Sequence, residues 1–274
     1  MKIIQGLLVL VLLTLLSCNG DPNSEATLPA ITSYKFQYMD FPSATASITP
    51  AGEILDKLDV VYSNGKIVKL IGGVSELDAA SGFPNLFRKD LFKELTYNGN
   101  TLTIIDKLDS DTFTTAENKK TIELNAENRM ITKVNYDNFY SIPNDTIKYF
   151  YQGNLLIRTE YHRYRMYKKS LIYYNAQKNV DSIVTITPTN YNGHLPIFDP
   201  TNKMRTVEQF ENYDTSQNPM KQFGIFEETF HRSLSKNNYR KYTSTQYDSN
   251  GTNNGYDTKE WEFIYQNGQV NFSL

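Results

Sequence analysis

Cysteine is almost absent from this sequence of 274 residues, in which Cys18 is the only one. A chain with one cysteine forms no internal disulfide, so its fold must rest on an apolar core. An unpaired thiol is also a liability in an oxidising compartment, where disulfides form readily. The position of Cys18, close to the first residue, therefore indicates a role outside the folded body.

An excess of charge of either sign is also missing. The chain has 28 Lys and Arg residues against 30 Asp and Glu residues, which gives a formal net charge of −2. A nucleic-acid partner normally requires a strongly basic face. The charge balance therefore argues against a nucleic-acid partner.

Motifs of known chemistry are missing as well. No Cys, Asp or Glu stands at a metal-ligand spacing from any of the three histidines, His162, His194 and His231. The segment 248–260 starts like a calcium loop, but Asn253 and Lys259 stand where that motif requires glycine and glutamate. The Gly-x-Ser-x-Gly, phosphate-loop and zinc-protease motifs are absent. We therefore expect no cofactor, no metal site and no catalytic residue of a known motif.

Long apolar runs are absent except near the start, where residues 3–16 are apolar apart from Gln5 and Thr14. A transmembrane helix needs about 20 such residues, so this run is too short to span a bilayer. A positive residue, a short apolar run and a small residue before a cleavage point are typical of a signal peptide. The sequence therefore predicts a signal peptide over residues 1–17.

The residues Leu15-Leu16-Ser17-Cys18 resemble the bacterial lipobox, in which the cysteine is acylated and the chain is cut before it. The resemblance implies that Cys18 becomes the lipidated first residue of the mature protein, held in a membrane by several acyl chains, palmitate among them. The alternative is an ordinary secreted protein whose signal contains a cysteine. Removal of residues 1–17 takes away one charge, Lys2, and changes the formal net charge from −2 to −3.

Residues 18–30 are small and polar, contain proline and show no hydrophobic period, so we expect the lipidated N-terminus to continue as a flexible tether. Asn19 stands where an aspartate would retain a Gram-negative lipoprotein in the inner membrane. The expected location is therefore the outer membrane. Whether the protein faces the periplasm or the cell surface stays open.

Residues 31–274 have the composition and the period of β-strands. The chain contains 20 Tyr and 15 Phe residues, and Asn and Gly mark turns between runs that alternate with period two. The phrase of an aromatic residue, a turn and aliphatic residues recurs in "YSNGKIVKL", "YNGNTLTII", "YQGNLLIRT" and "YNAQKNVDSI". We therefore expect one all-β domain, an antiparallel meander of consecutive hairpins that forms a long twisted or curled sheet. The tyrosine rings are expected to pack across strands while their hydroxyls reach water.

One segment interrupts this alternation. Apolar residues follow a spacing of three or four, which favours a short helix near 219–234: Met220, Phe223, Phe226, Phe230 and Leu234. Gly224 within the stripe weakens the helical pattern. The alternative is a long irregular connection.

The stretch "YDTSQNPMKQFG", with "LSKNN" ten residues later, resembles Bacteroidota lipoproteins of the DUF4595-like kind, related in style to YD (Rhs-type) β-repeats. Met220 stands where phenylalanine is usual in similar proteins. The resemblance covers most of residues 31–274 and implies a surface or periplasmic lipoprotein, with no catalytic residues to transfer. Proteins of this group carry O-glycans on Asp-(Ser/Thr)-aliphatic triplets, which makes Thr146 and Ser182 candidate sites. Chance matches to so short a pattern are the alternative.

The run "HRYRMYKK" interleaves cations with tyrosines. If it forms one strand, alternation places Arg163, Arg165 and Lys169 on one face, where they could bind the phosphate or carboxylate groups of a polyanion such as an acidic glycan. The alternative is a solvated strand face, or a sheet edge protected by charge.

Two classes of function stay open at this point. The first is a non-catalytic binding or structural module of the cell envelope, with a glycan, an envelope polymer or a protein as its partner. The second is a hydrolase acting on envelope or dietary polysaccharide. Glu227 and Glu228 are two carboxylates for such a reaction, but adjacent residues point in different directions and do not easily flank one bond.

Overall fold

The computed structural model describes residues 30–40, 47–48, 52–76, 85–108, 118–136, 144–163, 166–193, 195–197 and 203–274. The predicted signal peptide, Cys18 and nearly all of the predicted tether lie outside these residues. Residues 31–274 form one compact unit. Within the part of the chain that is described, no helix combines the length and the apolarity needed to cross a membrane.

Most of the described chain is β-structure. The strands of the first half are β1 (Ser33–Lys35), β2 (Ser47–Ile48), β3 (Ile54–Leu55), β4 (Lys57–Ser63), β5 (Lys66–Glu76), β6 (Asn85–Asn98), β7 (Thr101–Leu108), β8 (Asn118–Leu124), β9 (Met130–Tyr136) and β10 (Asp145–Gln152). Those of the second half are β11 (Leu155–Arg163), β12 (Met166–Tyr174), β13 (Val180–Pro188), β14 (Asn190–Asn192), β15 (Leu195–Ile197), β16 (Lys203–Glu211), β17 (Lys241–Tyr247), β18 (Asn253–Glu260), β19 (Tyr265–Gln266) and β20 (Gln269–Val270).

In the described residues, helical structure is confined to short pieces. There are 3-10 turns at Phe36–Tyr38, Pro219–Phe223 and Glu227–Thr229, and one α-helix of four residues, α1 (Phe230–Ser233). The predicted short helix near 219–234 is thus confirmed. Asn218 begins it, because its side chain accepts a hydrogen bond from the backbone N–H of Met220 at 3.0 Å.

Fourteen strands form one sheet in the order β1, β4 to β13, β16, β17 and β18. Every pair is antiparallel, and the three remaining pairs, β2 with β3, β14 with β15 and β19 with β20, are separate small hairpins. Strands that are neighbours in the sheet are therefore also consecutive in the sequence, except where the hairpins β2–β3 and β14–β15 are inserted. The expected all-β antiparallel meander is confirmed.

Local turn chemistry explains this order. Between β4 and β5, Asn64 and Gly65 adopt φ of 50° and 74°, which the tight turn of a two-residue hairpin requires. Two longer turns use an asparagine instead: the Asn125 side chain accepts hydrogen bonds from the backbone N–H groups two and four residues later, and Asn175 does the same. Asp248 has this role between β17 and β18. Each of these four hairpins is thus specified by residues inside its own turn.

The segment between β16 and β17, residues 212–240, lies on one face of the sheet and is called the connection below. It reaches strands at both ends and in the middle: ring centroids lie 5.3 Å apart for Tyr34 and Phe223, 6.0 Å for Tyr149 and Phe230, and 5.0 Å for Phe210 and Tyr239. Fourteen strands laid flat would span roughly 60 Å, at about 4.8 Å per strand. One short segment contacts strands at both ends and in the middle of the sheet only because the sheet curls around it.

The two ends of the meander also meet. The residues after β18 run beside β1, where the backbone N–H of Lys35 donates to the carbonyl of Phe272 at 2.8 Å. The indole N–H of Trp261 donates to the carbonyl of Gln37 at 2.7 Å. We call the face of the sheet that is turned toward the connection the inner face. The space on this side is enclosed by the curled sheet and by the C-terminal segment.

Recurring tyrosines bind successive hairpins to one another. Four of them, near the turns, donate their hydroxyls to backbone carbonyls at 2.6 to 3.1 Å: Tyr62 to Ile31, Tyr97 to Ile67, Tyr174 to Leu156 and Tyr213 to Val180. For these partly exposed residues the hydroxyls bond within the protein, which the sequence alone did not predict. Curling of the sheet brings each hydroxyl against the backbone of the preceding hairpin, and a buried carbonyl needs a donor.

Arg232 is the buried charge at the centre of the connection, and its side chain is fully buried. Its guanidinium group lies over the rings of Tyr239 and Trp261, with its carbon 4.2 and 4.5 Å from their centroids. Its Nε–H donates to the carbonyl of Tyr38 at 2.9 Å. Arg232 thus joins the connection to the chain next to β1 and to the residue that follows β18.

We expect Arg232→Ala to lower the free energy of unfolding by about 3 kcal/mol, because it removes charged hydrogen bonds and leaves a cavity between aromatic rings. Arg240→Ala is the matched control, since Arg240 is exposed and its side chain bonds only one exposed carbonyl in the described structure. Urea denaturation of both variants measures the difference. A loss of similar size in the two variants would contradict the role assigned to Arg232.

Candidate binding cleft and the charged network beside it

A cleft of about 200 Å³ separates the inner face of the sheet from the connection. Its strand wall comes from β9 to β12 and consists of Lys133, Ile147, Tyr149, Thr159, Tyr161, Lys168 and Ser170. Its other wall comes from the connection, through residues 224–227, Phe230 and His231. We call this feature the cleft.

Strand register explains why these side chains meet. Ile147 on β10 lies opposite both Lys133 on β9 and Tyr161 on β11, and Tyr161 lies opposite Lys168 on β12. Residues directly opposite each other in an antiparallel pair point to the same face. Alternation then adds Thr159 and the residues two positions along on the neighbouring strands.

The cleft combines aromatic rings with hydroxyl groups. Tyr149 packs edge-on against Phe230 with ring centroids 6.0 Å apart. The Ser170 hydroxyl shares a hydrogen bond of 2.8 Å with Thr185. Burial, with a hydrogen bond to the Asp145 carboxylate, raises the pKa of Tyr161 to about 12, so its phenol stays neutral. The wall therefore offers apolar ring faces beside uncharged donors and acceptors.

Two lysines lie in very different surroundings within the cleft. Lys133 is only 2% exposed, and its ammonium group pairs with Glu227. Lys168 is exposed, its nitrogen lies 5.9 Å from the centre of the Tyr161 ring, and no carboxylate in the described residues pairs with it. On the opposite wall, Nδ1 of His231 lies 3.5 Å from a Glu208 oxygen. Lys168 is therefore the uncompensated positive charge of the described lining.

A charged network begins at the base of the cleft and runs under the connection. Lys93 lies 2.7 Å from Glu228 and 3.1 Å from Asp106, and Lys120 lies 3.2 Å from Asp106 and 3.9 Å from Glu227. With the pair of Lys133 and Glu227, three lysines of the sheet balance three carboxylates. The network therefore fastens residues 227–228 to four consecutive strands, β6 to β9.

The two glutamates of the network are held in their ionised form. Burial alone would raise the pKa of Glu228, but Lys93 and Lys120 lower it to about 2. Burial also opposes ionisation of Glu227, and Lys133 and Lys120 lower its pKa in turn. The two side chains reach different lysines, as their adjacent positions in sequence suggested. A general acid for glycan cleavage needs a raised pKa, which neither glutamate has.

The expectation that Arg163, Arg165 and Lys169 share one face of one strand is wrong in its geometry. Arg163 ends β11 and lies opposite Met166 at the start of β12, so the chain reverses between them. The reversal places Lys169 opposite Glu160 on the outer face, whereas Arg163 alternates with Tyr161 on the inner face. Arg163 lies 3.1 Å from Asp145, and Arg165 lies outside the described residues. Polyanion binding by the three residues remains a prediction.

The two candidate O-glycan sites lie on strands inside the sheet. Thr146 is on β10, between Val134 and His162 of the neighbouring strands, and Ser182 is on β13 opposite Tyr173. Both are partly exposed and point away from the connection, because their neighbours Ile147 and Ile183 point toward it. Their glycosylation remains a prediction, and Cys18 lies outside the described residues.

Sequence reasoning missed Lys168, Tyr161 and Lys133 as residues of a site. The register of β11 and β12 is what would have found Lys168. Arg163 lies opposite Met166, so even-numbered residues of β12 share the face of odd-numbered residues of β11. The meeting of Lys133 with Glu227, 94 residues apart, has no local signal.

Comparison with known proteins adds two partial likenesses. No family model and no curated protein matches the chain. The crystal structure of a porin-like protein from Bacteroides vulgatus is similar with a TM-score of 0.48 and 11% identity, over 84% of this chain and 90% of that one. A porin-like protein from Bacteroides uniformis gives 0.46 and 11%, over 78% and 80%. Likeness at this level says nothing about ligand or reaction, and the DUF4595-like resemblance remains a prediction.

We expect Glu228→Gln to lower the free energy of unfolding at pH 7 by about 3 kcal/mol, because the ion pair with Lys93 is lost. The pKa of Glu228 is lower in the folded chain than in the unfolded one. Its contribution is therefore fully present above about pH 5 and disappears as the pH falls toward 2. Urea denaturation between pH 7 and pH 3 should show the parent and the variant converging.

Glu127→Gln is the control for this prediction. The Glu127 side chain is 61% exposed and pairs with Arg129 at a turn, so its loss should change stability by less than about 1 kcal/mol at any pH. A difference between parent and Glu228→Gln that stays constant with pH would show that the glutamate acts through packing and not through its charge.

Proposed function

We propose that this chain is a membrane-anchored lipoprotein of the cell envelope that binds a glycan, without catalysis, in the cleft. The observation that carries the proposal is the lining of the cleft, where the rings of Tyr161 and Phe230 stand beside the hydroxyls of Thr159 and Ser170. Sugars present C–H faces that pack on aromatic rings, and hydroxyls that exchange hydrogen bonds with such groups. A few placed polar groups in a largely apolar pocket are the usual composition of a ligand site.

The rigidity of both walls supports binding. The strand wall consists of β9 to β12, which all have paired neighbours on both sides. The connection wall is fastened at Glu227 by Lys133 and at its backbone by Asp40, whose carboxylate accepts from the N–H groups of His231 and Arg232 at 2.6 and 3.2 Å. A site whose walls are already in place loses little conformational entropy when a ligand binds.

Arg163 and Arg165 extend this proposal beyond the cleft. Arg163 follows Tyr161 on the inner face of β11, so a polymer that leaves the cleft along this strand passes it. Its guanidinium group can meet a carboxylate or phosphate of the polymer once the pair with Asp145 opens. Lys169 lies on the outer face, opposite Glu160, and takes no part in binding at the cleft.

The anchor is proposed to be Cys18, with residues 18–30 as the tether and the outer membrane as the location. Lipid at the first residue of the mature chain would leave the domain free to meet a glycan or an envelope protein on one side of that membrane. The lipobox and the polar stretch after it support this part of the proposal.

We expect Cys18→Ala to abolish incorporation of labelled palmitate and to leave the uncleaved precursor, because lipidation precedes cleavage at this site. Metabolic labelling and the apparent mass of the chain measure both effects. Ser17→Ala keeps a small residue before the cysteine and is the control, which should be labelled like the parent. Labelling of the Cys18→Ala chain would contradict the anchor.

We expect Tyr161→Ala to weaken glycan binding at least tenfold, because the ring forms part of the cleft wall. The assay is binding of the detergent-solubilised mature lipoprotein to an immobilised panel of neutral and acidic oligosaccharides. Tyr173→Ala is the matched control, since Tyr173 is 49% exposed and lies opposite Ser182 on the outer face. Equal losses in both variants would place binding elsewhere, and release of sugar products by the parent would favour a hydrolase.

A further inference from the structure

We infer that the cleft selects a single sugar residue that carries one negative group, a carboxylate or a sulfate, and that Lys168 provides this selection. The inference rests on the proposed function and names the ligand class of the same site. It follows from the size of the cleft and from the balance of charge along its lining.

The size of the cleft limits the ligand to about one ring. Pockets for drug-sized ligands usually have volumes of about 300–1,000 Å³. The cleft has about 200 Å³ and is closed on one side by the connection. A single sugar residue therefore fits within it, and further residues of a glycan would lie outside, toward the end of β11.

The charge of the lining favours an anion. Glu227 is the only carboxylate among the lining residues that the structure describes, and it is engaged by Lys133 and Lys120. His231 belongs to the lining and has its own carboxylate partner, Glu208. Lys133 and Lys120 neutralise Glu227, so no unpaired carboxylate of the described lining opposes an anionic ligand.

Lys168 is the charged group of the described lining that remains available to attract an anion. Its ammonium group carries three donors, is exposed, and pairs with no described carboxylate. It lies on the same face as Tyr161, directly across from it in the register. A sugar ring packed near Tyr161 would thus present a carboxylate or sulfate substituent to Lys168, while its hydroxyls face Ser170 and Thr159.

Lys169 provides an internal control for this inference. It is the next residue along β12, has the same charge and lies opposite Glu160 on the outer face. Replacing either lysine by glutamine removes one positive charge and keeps a long polar side chain. The two variants therefore have equal net charge and differ only in the face from which the charge is removed.

The test is isothermal titration of the detergent-solubilised mature lipoprotein with two sugar series at low ionic strength. One series is galactose, galacturonate and galactose 6-sulfate, and the other is glucose, glucuronate and glucose 6-sulfate. In at least one series we expect an acidic sugar to bind at least tenfold more tightly than the neutral one. Lys168→Gln should remove this preference, and Lys169→Gln should leave it within twofold of the parent.

Each other outcome overturns the inference in an identifiable way. Equal affinity for neutral and acidic sugars contradicts selection of an anion, but leaves glycan binding intact. A preference that survives Lys168→Gln, or that Lys169→Gln removes, places the anion at another site. Binding to the oligosaccharide panel without binding to any of the six sugars contradicts the single-residue cleft. Failure with both sets of ligands contradicts the proposed function as well.

Discussion

The packing of residues 212–240 against the inner face is the interaction on which the rest of the structure depends. Tyr34 near the first strand, Tyr149 in the middle and Phe210 near the end all contact aromatic residues of this one segment. Burial of apolar surface stabilises a fold by roughly 25 cal/mol per Å². The first strand of the meander obtains part of that burial from Phe223, which comes more than a hundred positions later in the chain. Curling of the sheet is thus a consequence of where its apolar core lies.

Charged side chains on the same face determine where the connection lies inside the curled sheet. Three lysines of β6, β8 and β9 meet two glutamates of the connection and Asp106, and together they leave no unpaired charge in the network. A buried ion network contributes less to stability than apolar packing of equal volume, because each charge loses its hydration. What it adds is position: it holds one edge of the connection at a fixed distance from β9 to β12. The cleft is the space that remains there.

Local features of the fold could be predicted from the sequence, and the site could not. Asn64 and Gly65 specify their hairpin because the required positive φ is a property of those two residues. Arg163 and Lys169 were expected on one face because alternation was counted as if both residues belonged to one strand. They belong to two antiparallel strands, and the register between these strands makes even-numbered residues of β12 point inward with odd-numbered residues of β11. The backbone partners of the tyrosine hydroxyls could not be predicted for a related reason, since each carbonyl belongs to a distant part of the chain.

The sequence by itself determined the class of structure, the order of the hairpins and the presence of a short helical segment before the last strands, because turn geometry and side-chain period act between near neighbours. Only the tertiary structure decided which side chains share the cleft. Lys133 meets Glu227 across 94 residues, and His231 faces the strand that carries Lys168. Such meetings depend on the register of every intervening strand and on the curl of the whole sheet, and neither quantity is encoded in any one stretch of residues.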